Sequence, residues 1–223
     1  MRHSYGIVFG LVVTSFVVQA AVPDGDLARL VIIWLQAATL VVAVRIARST
    51  RWPIRTASGL AALMAIAAPI LWIVHGSIPD GITAVATALL VGVAPLVIAG
   101  GLVRDLRSAG AVTLEALSGV LSIYVLAGMF FSFVYSAINT IGDGSFFVEV
   151  ADPVRGDFLY YSFTTLTTTG FGDFTAASEL GRTVSVVEAL SGQIYLVTIV
   201  ALIVSNLRPR RRADAPAPAG DES

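Results

Sequence analysis

The apolar residues of this chain come in unbroken runs, neither alternating nor confined to one side of a helix. Six such stretches, at 5–22, 28–44, 56–74, 82–103, 112–138 and 184–207, are separated by polar or glycine-containing segments. A helix needs about 20 residues to cross about 30 Å of hydrocarbon, so the second stretch is marginal and the fifth is long enough to tilt. Backbone amides in lipid must find partners internally, and the runs lack the dyad alternation of barrel strands, so each is expected to be a helix. The expected fold class is an all-α membrane protein with six transmembrane helices. The connection at 139–182 is too long for a simple turn.

Composition sharpens this picture. Of 223 residues 56% are apolar and 13% charged, with a mean hydropathy of +0.84. That is about half the usual charged share, and a soluble core of this size has no room for so many apolar runs, which excludes a soluble enzyme. The lack of cysteine excludes disulfides, thiolate metal sites and cysteine nucleophiles. His3 and His75 sit near span ends, where neither serves as the base of an intramembrane hydrolase. No protein cofactor and no nucleic acid partner is expected.

Arginine, the only basic residue type besides histidine, sets the orientation. Arg2, Arg45, Arg48, Arg51, Arg55, Arg104, Arg107, Arg208, Arg210, Arg211 and Arg212 are eleven of fourteen, all at one side of the spans. The positive-inside rule puts that side, and both termini, in the cytoplasm of a plasma-membrane protein. On the other side Arg29, Arg155 and Arg182 face nine carboxylates, a field that concentrates cations. Arg2, the apolar 7–18 stretch and Gln19-Ala20-Ala21 also fit the three regions of a secretory signal peptide, which leaves residues 23–27 outside in either case. Chain character changes near residue 108, from four short spans (1–108) to two longer ones around a polar loop (109–208). The Ala- and Pro-rich stretch at 209–223 reads as disordered and too short for a nucleotide- or calcium-binding domain.

The long connection contains Asp157-Phe-Leu-Tyr-Tyr-Ser-Phe-Thr-Thr-Leu-Thr-Thr-Thr-Gly170-Phe-Gly-Asp173. Asp157 suits a helix N-cap, and a short buried helix is expected to run to Thr167 or Thr168 before glycine-punctuated backbone. Irregular backbone at membrane depth is tolerated where protein buries it or water wets it, as in a re-entrant hairpin lining an aqueous path. The helix C-terminus would aim a partial negative charge inward and favour a cation.

Thr168-Thr169-Gly170-Phe171-Gly172-Asp173 resembles the Thr-Val-Gly-Tyr-Gly-Asp selectivity filter of the potassium channel family, in its prokaryotic two-helix form. The resemblance covers about residues 112–207. Tyr160-Tyr161 falls where the family has an aromatic pair on the pore helix, and Gly192 where many members have a hinge glycine. It implies K+ coordination by the carbonyls of Thr168, Thr169, Gly170 and Phe171, with the Thr168 hydroxyl as innermost ring. Gly170 and Gly172 allow the alternating handedness that turns successive carbonyls to one axis. It also implies that Asp173 is tied to the pore helix through Tyr160 or Tyr161, and that four chains in the bilayer, a homotetramer, complete the filter. Phe171 replaces the family's tyrosine and Thr169 its valine, and no proline follows Asp173.

Along the last span, Gln193, Leu196, Val200 and Val204 share the Gly192 side at helical spacing and would border a cavity. Glu188, the one carboxylate well inside an apolar run, is expected to bond a pore-helix threonine, Thr164 or Thr165, or to serve function directly. The fourth span has no arginine before Arg104, so no voltage sensor is expected; Pro95 and Gly100-Gly101 would bend it. No related halves with paired broken helices mark a secondary transporter. A potassium-selective channel leads; a poorly selective cation pore and a non-conducting subunit that binds partners are the alternatives.

Overall fold

The computed structural model describes residues 4–46, 51–75, 80–109 and 114–206. They form seven helices: α1 (Ser4–Ala21), α2 (Asp26–Ile46), α3 (Arg51–His75), α4 (Asp80–Ala109), α5 (Leu114–Ile141), α6 (Arg155–Leu166) and α7 (Glu179–Asn206). Each apolar stretch became one helix. The helices overrun the apolar limits, α3 starting at 51 rather than 56 and α4 extending to 109, because hydrogen bonding continues into polar flanks that hydropathy does not register. Pro69 and Pro95 lie inside α3 and α4. The segment Arg48 occupies and the stretch at 209–223 lie outside the described residues.

Three helical segments, Asp26–Ile46, Ala84–Leu102 and Glu115–Ile141, are long and apolar enough to cross a membrane. Tyr5–Ala21 and Ala61–Val74 are shorter apolar helices. Among the described residues there is no strand, only an isolated antiparallel bridge between Phe147 and Ala176.

α5 is the hub: α1, α4, α6 and α7 all pack on it, while α2 packs between α1, α3 and α4. One apolar core spans this group, with Val8, Val12, Leu40, Val91, Ile98, Leu126 and Met129 fully buried. It draws on helices from both sides of residue 108. Inside lipid the hydrophobic effect adds little between helices, so polar links matter more, at about 0.6 kcal/mol each. Gln19 donates to the Ser132 hydroxyl at 3.1 Å, Gln36 to Ser15 at 2.7 Å, and the Trp34 indole to the Ala65 carbonyl at 3.1 Å. These bonds tie α1 to α5, α2 to α1 and α2 to α3.

Candidate functional site

α6 begins at Arg155, two residues before the expected cap. Val154 is the N-cap in extended conformation, and Asp157 sits in the first turn, its carboxylate accepting the Val154 amide at 2.9 Å. Asp157 therefore steadies the start from inside the helix. A second tie comes from far along the chain. The Arg155 amide donates to Asp24 at 3.0 Å, and its guanidinium donates to the Val22 carbonyl at 2.8 Å and pairs with Asp24 at 3.2 Å. The α1–α2 turn thus holds the first residue of α6, a link across more than 130 positions that local sequence does not signal.

Phe158, Leu159, Ser162 and Leu166 form the buried face of α6. The helix stops at Leu166, with Thr167 as C-cap, because the amides of Thr167 to Gly170 fold back onto its last carbonyls. Thr168 donates to Thr165 at 2.9 Å, and Thr169 and Gly170 both donate to Thr164 at 2.8 and 3.1 Å. From there the backbone alternates: φ is +56° at Thr168, +49° at Gly170 and +80° at Gly172, with Thr169 and Phe171 at negative φ. Glycine takes the left-handed region at little steric cost. Thr168, a β-branched residue, holds it at a cost of about 1–3 kcal/mol, a strain the motif does not announce. All seven residues from Thr167 to Asp173 are exposed in the single chain.

Behind this segment the partners are specific. Of the two tyrosines, Tyr160 donates to the Asp173 carboxylate at 2.8 Å and stacks on Phe171, rings 6.2 Å apart and 11° from parallel. Tyr161 turns the other way, its hydroxyl 2.8 Å from that of Ser185 on α7. It joins an aromatic cluster with Tyr135, Phe146, Phe147 and Phe158. The outer connections are stitched together there: Val148 donates to Thr175 at 3.0 Å, Ala177 to Phe146 at 2.8 Å, and Phe146 to the Asn139 side chain at 2.8 Å. Glu149 accepts both the amide and the hydroxyl of Thr175, which hold its carboxyl below the usual range.

Glu188 is fully buried, but its partners are not Thr164 or Thr165. It meets the Tyr135 hydroxyl of α5 and the Ser162 hydroxyl of α6. Ser162 lies on the buried face of α6; Thr164 and Thr165 are two and three residues further on, about 200° and 300° around the helix. The Thr164 hydroxyl instead donates back to Tyr161 at 3.0 Å. Ser162 also lies 2.7 Å from the Gly128 carbonyl. A serine hydroxyl has one proton, which it cannot give fully to both a carbonyl and a carboxylate. The count closes when Glu188 is the neutral acid: Ser162 donates to Gly128, Glu188 donates to Ser162 and accepts from Tyr135. A neutral acid is also the cheaper form to bury.

Gly192 is buried where continuous α7 passes the end of α6. A Cβ there would collide with the Leu166 carbonyl oxygen and lie 2.9 Å from Leu166 Cδ1. The glycine is required for close approach. The same Leu166 carbonyl accepts from Tyr124 of α5 at 3.3 Å. Gln193 and Leu196 are exposed, beside exposed Val186, Leu190, Ile194 and Val197. The side chains of Val200 and Val204 lie outside the described residues. Among the described residues no cluster of three or more His, Asp or Glu is placed to hold a metal ion.

Residues 119–208 match the family model described as an ion channel. No curated protein and no solved structure matches the chain. This segment, well under half of the chain, is similar to ion channels. With the long apolar helices, the match supports a helical membrane protein that moves ions rather than one that turns over a substrate.

Proposed function

We propose that the protein is a homotetrameric potassium channel of the plasma membrane, with Thr168, Thr169, Gly170, Phe171 and Gly172 as its selectivity filter. α1 to α5 and α7 are the six spans, both termini are cytoplasmic, and α6 with residues 167–173 dips in and out from the outer side. An ion that sheds water needs replacement oxygens at close range, and backbone carbonyls supply them without a net charge that would trap it. The observation that carries this reading is the regular alternation of φ sign at 168, 170 and 172, directly after a helix C-terminus. That alternation turns successive carbonyls to one side, and the helix end contributes partial negative charge.

The exposure of the whole hairpin in one chain supports an assembly, since a single copy surrounds no ion. Tyr160 and Asp173 brace the outer end; Tyr161, with Ser185, and the Glu188–Ser162–Tyr135 group brace α6 from behind. Thr164 and Thr165 close the inner turn through their carbonyls. Residues 109–208 act as the pore domain and residues 1–108 as a membrane domain without a sensor. Conduction then has no steep voltage dependence, because no arginine lies within 84–102 to move through the field.

The test is the potassium-to-sodium permeability ratio of the purified protein in planar bilayers. A reversal potential that follows the potassium gradient supports the proposal. One that ignores which cation is present makes the pore unselective, and no current from intact tetramers makes the chain a partner-dependent subunit; either result overturns it.

A further inference from the structure

The carbonyls that end α6 are not all served alike. Those of Phe163, Thr164 and Thr165 accept the amides of Thr167 to Gly170, which fold back onto them. Among the described residues the next carbonyl, that of Leu166, has no amide donor, and its one partner is the Tyr124 hydroxyl of α5 at 3.3 Å. Leu166 is only 1% exposed, and a buried carbonyl left unserved is costly. That distance is long for an O–H···O bond, so the bond depends on what holds the tyrosine ring in place. Tyr195 of α7 does this. Its ring stacks on that of Tyr124, centroids 5.7 Å apart and 26° from parallel, and its hydroxyl donates to the Val120 carbonyl of α5 at 2.6 Å.

Tyr195 lies three residues past Gly192 on the same face of α7, and the missing side chain of Gly192 lets α7 reach the same Leu166 carbonyl. Tyr195 and Ile199 also pack on a buried cluster of Leu102 from α4 with Ala116 and Val120 from α5. This cluster, Tyr195 and Tyr124 link α4 to the last residue of α6, two positions before Thr168. Thr168 holds a positive φ, which a β-branched residue keeps only where its surroundings over-determine it. The folded-back amides fix one side of that turn, and the Leu166 carbonyl fixes the other. We propose that Tyr124 is a positioning residue of the ion path, which sets the backbone at Thr168 and with it the discrimination between potassium and sodium; the assignment rests on the channel reading. Released from Tyr124, the 166–167 peptide rotates, Thr168 relaxes to negative φ, and its carbonyl leaves the row it forms with residues 169–171. Tyr195 acts through Tyr124 and gives α4, which lies outside residues 109–208 up to its last position, a hold on selectivity.

Two readouts test this on the intact chain: the potassium-to-sodium permeability ratio in planar bilayers, and amide hydrogen exchange in detergent on peptides that cover residues 160–172. Tyr124→Phe keeps the ring and drops only the hydroxyl. It should lower the permeability ratio about tenfold and speed exchange at the amides of Thr167 to Gly170 about tenfold. Tyr195→Phe also loses one hydroxyl, but it keeps the stack and the Leu166 bond, so both readouts should stay within about twofold of the wild type. Tyr195→Leu removes the stacked ring without touching the carbonyl and should shift both readouts as Tyr124→Phe does; it is the second variant if Tyr124→Phe does not fold. A Tyr124→Phe protein that leaves either readout at the wild-type value overturns the proposal, since the hydroxyl is then packing alone. Equal effects of Tyr124→Phe and Tyr195→Phe overturn it as well. A wild type that conducts without preference, or not at all, fails the channel proposal instead, and the exchange data still decide whether Tyr124 pins the hairpin.

Discussion

Glu188→Gln should be tolerated where Glu188→Ala is not, and the contrast follows from proton counting. Glutamine presents one acceptor and two donors, so it can accept from Tyr135 and donate to Ser162, as the neutral acid does. Its stability should lie within about 1 kcal/mol of the wild type. Alanine leaves the buried Tyr135 hydroxyl without an acceptor, at about 1–3 kcal/mol, and removes a buried methylene worth about 0.8 kcal/mol. The sum is a loss of about 2–4 kcal/mol. Thermal unfolding of the protein in detergent reads this directly. Infrared difference spectra should also carry a protonated-carboxyl band that Glu188→Gln removes. If glutamine proves as damaging as alanine and no such band exists, Glu188 is ionised and the counting is wrong.

Three further outcomes test neighbouring parts of the site. Gly192→Ala should push α7 from Leu166 and destabilise the protein by about 1–3 kcal/mol in denaturant titrations; unchanged stability would refute the close-approach role. Gly170→Ala forces a side chain to φ +49°, at about 1–2 kcal/mol; under the proposed function, a potassium-following reversal potential should be lost in this variant. Glu149 has its carboxyl pKa lowered by Thr175, so its contribution to stability is present above the ordinary carboxylate range and is lost as pH falls through its folded value. Glu149→Gln should accordingly lower the melting temperature in the neutral region and converge on the wild type at low pH, which flattens the acid limb of the profile.

The hairpin was legible in sequence for a local reason. Gly170 and Gly172 two positions apart, after a threonine run and a short aromatic helix, encode their backbone in their own residue types. Thr168 was legible as a member of the motif but not as a strained one, because nothing in a threonine signals positive φ. The choice between Tyr160 and Tyr161 could not be read either. Adjacent helical residues point about 100° apart, and which one meets Asp173 depends on how α6 is rotated against α5.

Taken alone, the amino-acid order determined where helices run, which end of each carries arginine, and where the chain leaves regular structure. Those properties depend on the cost of exposing amides and charges to lipid, a cost paid residue by residue. Tertiary structure decided the rest. Ser162 and Tyr135 meet Glu188, Arg155 reaches Val22 and Asp24, and Gly192 meets Leu166 only because helices distant in sequence are packed at one angle and rotation. Such contacts follow from the joint fit of several helices, and no single segment contains that information.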